Sequence, residues 1–118
     1  MISDHEWRGV PLERVAEWRA VFQSSREGLD LSAPCPLCGV KALRRWYQVN
    51  RPEEMVIDGV RYVGRGGLWE WCGDCLRYEH YSARVPEWWA CDLEVDERRL
   101  TALPTAIEEA IRLRGQIR

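Results

Sequence analysis

Two short cysteine pairs constrain this chain more than any other feature. Cys35-Pro36-Leu37-Cys38 and Cys72-Gly73-Asp74-Cys75 are both C-x-x-C, with 33 residues between them. A two-residue gap lets both sulfurs face one cation while the intervening amides turn toward them. Two such pairs supply four soft ligands in a tetrahedron, the arrangement zinc favours in structural sites. Gly39 follows the first pair, where a tight turn favours a residue free to take positive φ. Disulfides are disfavoured in a reducing compartment. A redox C-x-x-C would be a single pair ahead of a helix. Iron fits the same four-sulfur cage, so the pattern leaves zinc or iron open and favours structural Zn2+.

The spacing resembles a zinc ribbon, in which each pair sits at the tip of a β-hairpin and the metal clamps the two tips. The likeness covers about residues 33 to 84. A closed four-cysteine site has no open coordination position for water or substrate, so the metal's expected task is folding, not catalysis.

Around the pairs, the pattern predicts an α+β single domain over 1–118. A small antiparallel sheet with a four-cysteine zinc ribbon is flanked by an N-terminal and a C-terminal helix. The first helix is expected at 10–28: Pro11 suits its start, Leu12, Val15, Trp18 and Phe22 share a face, and Gly28 suits its end. The ribbon-like β core spans 33–84, with about five strands. Residues 42 to 50 read as a strand leading away from the metal. Asp58-Gly59 between β-prone runs predicts a tight hairpin over 55–63. Gly64, Gly66 and Gly67 around Arg65 read as a loop, with no helix start behind them to make a phosphate cradle. Residues 85–118 form an acidic aromatic loop and a last helix, with Thr105 and Glu108 matching a capping box and Gly115 closing it.

Trp69 and Trp71 fall on one strand face and Glu70 on the other. A stacking platform for single-stranded nucleic acid would need a positive groove beside such rings. Arg65 and Arg77 alone make a poor one, so a sheet face covered by the terminal helix is the favoured reading. His80 has no nucleophile or acid arranged with it, and His5 gets no role. Cys91 is the odd thiol and is expected to pack. No paired carboxylates, nucleotide loop or nucleophile elbow occurs, so no enzyme activity is expected.

The net charge is −2 among 118 residues, and four thiolates with one dication would make it −4. Phosphate binding normally draws on a basic excess. From Glu87 to Glu97 there are five acids and no base. Glu87, Trp88, Trp89, Asp92 and Glu94 therefore form the candidate partner surface, because aromatic anchors supply affinity and acids steer a basic partner. No run approaches the ~18 apolar residues of a membrane helix, and a cytoplasmic location is expected.

With "GLWEWCGDC" and "EHYSARVPEWW" in a small, acidic, tryptophan-rich chain, the sequence resembles immunity proteins of bacterial polymorphic-toxin systems over roughly residues 35 to 90. That resemblance implies inhibition by occluding a cognate, often basic, toxin domain. The alternative is a nucleic-acid-binding zinc ribbon of the transcription or translation type.

Overall fold

A computed structural model describes residues 3–89 and 92–116. Cys91 lies outside the described residues, and so does any account of its packing.

The sheet has four strands, β1 (Arg8–Gly9), β2 (Leu43–Ile57), β3 (Val60–Cys72) and β4 (Arg77–Pro86), in the order β1-β4-β3-β2. β2, β3 and β4 form an antiparallel meander. The two-residue β1 adds to β4 in parallel, Arg8 beside Arg77, so the sheet is mixed. Helix α1 (Val15–Ser24) precedes β2 and helix α2 (Thr105–Gln116) follows β4. The α+β class with one helix at each end is as the sequence predicts.

Side-chain alternation along β3 sorts the molecule into layers. Trp69 and Trp71 point to the face covered by Ile107 of α2, where Trp7, Trp46 and Leu93 complete a core. Four indole N–H groups hold the C-terminal segment there. Trp46 donates to the Leu93 carbonyl (3.1 Å) and Trp69 to the Thr101 carbonyl (2.8 Å). Trp7 reaches the Thr105 hydroxyl (3.0 Å), and Trp71 the Glu108 carboxylate (2.6 Å). The two β3 tryptophans are thus buried fastening, and no stacking platform is left on this face. On the opposite face, Trp18 and Phe22 of α1 bury Leu43 and Cys72. Leu68, Val85 and Trp89 pack farther along it.

Three expectations of local structure change. The first helix is shorter than 10–28: a 3-10 turn at Leu12–Arg14 leads into α1, which stops at Ser24. The buried Arg45 guanidinium stops it by donating to the carbonyls of Phe22 (2.7 Å), Ser25 (2.7 Å) and Glu27 (2.6 Å). The Phe22 carbonyl also accepts from the Ser25 N–H (3.3 Å), so the guanidinium ties the last turn of the helix to the segment that follows it. The glycine-rich 64–67 stretch is strand, not loop. Register slips between Val49 and Arg51 and between Pro52 and Met55 press β2 onto β3. A Cβ on Gly66 would lie 1.8 Å from the Gln48 carbonyl oxygen, so only glycine fits the bulge. Lastly, Glu108 does not cap α2. Its carboxylate accepts from Arg44 (2.8 and 2.9 Å) as well as from Trp71. α2 also runs one residue past Gly115. The Asp58-Gly59 hairpin forms as expected, both residues at positive φ (51° and 79°) between β2 and β3.

Candidate metal centre and candidate partner surfaces

The cysteine pairs sit at one end of the sheet. Cys72–Cys75 forms the turn joining β3 to β4. Cys35–Cys38 caps a shorter antiparallel ladder in which Leu31 N–H donates to the Leu43 carbonyl (3.0 Å) and Arg45 N–H to the Leu29 carbonyl (2.9 Å). Both pairs are therefore hairpin tips, and the packing of Leu43 between Cys35 and Cys72 brings the tips together.

The four Sγ atoms all lie within 4.8 Å of one another. Two of the separations cross between the tips, Cys35 to Cys75 at 3.9 Å and Cys38 to Cys72 at 3.7 Å. A tetrahedron with Zn–S bonds of about 2.3 Å has edges of about 3.8 Å. Backbone amides point at the sulfurs: Leu37 N–H at Cys35 and Asp74 N–H at Cys72, each 3.4 Å. The backbones of Val40 and Arg77 do the same for Cys38 and Cys75. Burial nevertheless pushes the Cys72 and Cys75 thiols up, so keeping them as thiolates requires a cation among them. The donor set fits one tetrahedral, thiophilic ion, and all four positions are filled by protein sulfur.

The other predicted surface is divided. Trp88 and Trp89 stack at 6.3 Å on the α1 side of the sheet, Trp89 buried and Trp88 half-buried. Leu93 has crossed to the α2 side, where Asp92 and Glu94 border a cleft of about 560 Å³ against α2. Three of the five acids are tied to arginines, Glu87 to Arg61 (3.3 Å), Asp92 to Arg114 (3.0 Å) and Asp96 to Arg98 (3.2 Å). His80 stacks on Trp69 at 4.2 Å, its Nδ1 2.9 Å from the Leu68 carbonyl oxygen, a packing role.

What sequence reasoning missed is a charged interior on the α1 side. Arg45 and Glu70 are 3% and 2% exposed. Burial pushes Glu70 up to about 7, and burial also lowers Arg45 from its ordinary value. Both line a groove of about 630 Å³ bounded by Trp88, Trp89 and Tyr81. Arg45 stands 4.8 Å over the Trp89 ring, and Arg26 stands 5.3 Å over Trp88. Their alternation with hydrophobic neighbours was the available signal: an arginine and a glutamate at core-facing positions of adjacent strands.

No family model, curated protein or solved structure matches the chain. No helix among the described residues is long and apolar enough to cross a membrane.

Proposed function

We propose that this protein is a zinc-stapled interaction module that acts through its outer surface and carries no catalytic centre. The observation behind it is the clustering of four sulfurs within 4.8 Å at the joined tips of two hairpins. A cation bound by all four would be coordinatively closed, leaving it a folding role. The partner in this reading is a protein with a basic face. Its landing area is the cleft between α2 and the 92–96 segment, where the exposed Leu113 offers apolar surface inside a rim containing Asp92 and Glu94. The likeness to immunity proteins gives the sharper form, occlusion of a cognate toxin domain.

Titration calorimetry against the purified candidate toxin domain tests this, with Glu94→Arg and Trp88→Ala assayed separately because they lie on opposite sides of the sheet. Loss of binding in Glu94→Arg supports the cleft. Undiminished binding in that variant removes it, and loss in Trp88→Ala alone moves the contact to the α1 side.

A further inference from the structure

The outer edge of β4 carries binding chemistry of the opposite sign to the cleft at α2, and neither depends on the other. β1 covers that edge only as far as Tyr78, whose carbonyl accepts from the Val10 N–H (3.1 Å). At Pro11 the chain turns off into the 3-10 turn before α1. Pairing of β4 with β3 stays regular from Tyr78 to Val85. Backbone groups alternate between the two sides of a strand, so the N–H and C=O of His80, Ser82 and Arg84 point away from β3 as those of Tyr78 do. No strand among the described residues pairs with them, and all three residues are exposed.

Arg84 also belongs to a cross-strand row of like charges. Arg65 of β3 is the register partner of Arg51 on β2 and of Arg84 on β4. By the same alternation Arg65 and Arg84 form a non-hydrogen-bonded pair, the closer kind, with Cα atoms about 4.5 Å apart. Like charges set directly opposite are destabilising. Among the described residues none of the three arginines has an ion-pair partner, whereas Arg61 farther along β3 holds Glu87 at 3.3 Å. Glu53 shares a small cleft with Arg65 and Arg84 and pairs with neither. A charge on an edge strand can guard it against unwanted pairing, which accounts for Arg84. It does not account for Arg65, half-buried on a central strand between two more arginines.

We infer that the β4 edge is a docking site for an extended acidic peptide segment of a partner protein, which adds to the sheet as a further strand beside residues 80–84.

The open edge selects a peptide, because an extended backbone offers N–H and C=O groups at the spacing that the edge presents. The arginines select its charge. A carboxylate opposite Arg84 on the added strand would be next in the row after Arg51, Arg65 and Arg84, and would supply the anion that the row lacks. A phosphate chain would meet the arginines but leave the edge unpaired. A second copy of this chain, paired antiparallel about Ser82, would set Arg84 of each copy opposite His80 of the other and bring no carboxylate to the row.

Panning a random dodecapeptide phage library on the metal-replete full chain tests the site, with the best enriched peptide then synthesised, labelled and titrated by fluorescence anisotropy. Enriched peptides are expected to be rich in aspartate and glutamate. Arg84→Glu, a change at an exposed position, is expected to weaken the chosen peptide by about tenfold or more. Two versions of that peptide, N-methylated at one or the other set of alternate amides, separate strand addition from charge alone. The version whose methyl groups face β4 should lose about tenfold or more, and the other should bind like the parent. Enrichment without an acidic excess, unchanged affinity in Arg84→Glu, or equal binding of the two methylated versions overturns the proposal. So does displacement of the peptide by a single-stranded DNA decamer at a lower concentration than unlabelled peptide requires, which would make the row a phosphate site. Self-association of the free chain that Arg84→Glu alters, measured by sedimentation, also overturns it, in favour of a second copy on the edge.

Discussion

Gly39 and Leu76 occupy the same place in the two cysteine turns. Each follows the second cysteine of its pair, each has positive φ (79° and 60°), and each donates its N–H to the carbonyl of the first cysteine, at 2.8 and 3.1 Å. Glycine takes that conformation without strain, whereas leucine does so at a cost of about 1 kcal/mol or more. Leu76 also packs against the tryptophan core, which offsets part of the strain. Leu76→Gly is therefore expected to change stability by less than about 1 kcal/mol, relief of strain opposing lost burial. Gly39→Val should destabilise by about 1–2 kcal/mol, because a β-branched residue is forced into the left-handed region with no compensating contact. Urea denaturation at fixed zinc concentration compares the two, and equal losses would show that the turns are not equivalent.

Removing the cation should unfold the hairpin tips. Purified protein is expected to hold one zinc per chain by elemental analysis. A strong chelator should lower the thermal midpoint by tens of degrees, since site formation contributes on the order of 10 kcal/mol in small metal-dependent domains. Cys38→Ser, at the solvent side of the cluster, should reproduce much of that loss. A metal-free sample with an unchanged midpoint would remove the zinc staple.

Much of this centre is legible in the sequence because its determinants are local. Each C-x-x-C fixes its own amide-to-sulfur turn, and Asp58-Gly59 fixes its own hairpin, whatever surrounds them. The alternation of Trp69, Glu70 and Trp71 also tells which residues share a face. What stays hidden depends on partners distant in the chain. The end of α1 is set by Arg45, some twenty residues on, and not by Gly28. Gly64 and Gly66 look like loop residues because the bulge in β2 that demands them is a feature of the other strand. Glu108 has the spacing of a capping residue, yet Arg44 and Trp71 claim its carboxylate. Trp88 and Trp89 are parted from Asp92 and Glu94 because the chain changes sides of the sheet between Trp89 and Leu93, and composition carries no sign of that crossing.

Glu108 is the polar anchor of α2, and its loss should be felt beyond a surface ion pair. Its carboxylate takes one bond from the Trp71 indole (2.6 Å) and two from Arg44 (2.8 and 2.9 Å). Trp71 is fully buried, so truncation leaves an indole N–H without a partner in the core. Glu108→Ala is expected to cost about 2–4 kcal/mol by chemical denaturation. Glu108→Gln, which can still accept from the indole, should recover about half. A loss below about 0.5 kcal/mol, the scale of an exposed pair, would contradict the anchoring role.

Burial raises the Glu70 carboxyl to about 7, with desolvation the leading cause and the hydrogen bond from Tyr81, then the charge of Arg45, only partly opposing it. The folded chain thus holds this proton more tightly than the unfolded chain, whose carboxyl titrates near 4.3. Below the unfolded value both states are protonated and Glu70 contributes no pH-dependent penalty. As pH rises toward 7 the unfolded state ionises first, and stability falls; above about 7 the penalty is complete. Glu70→Gln removes that titration while keeping the shape. In zinc-loaded protein the variant should gain about 2 kcal/mol on wild type between pH 5 and pH 8, and most of the gain should be in place by pH 7. Denaturation curves for both proteins across that range share the zinc–thiolate contribution, so their difference isolates Glu70. A difference independent of pH would place the carboxyl at its ordinary value, paired with Arg45 and already ionised at pH 5.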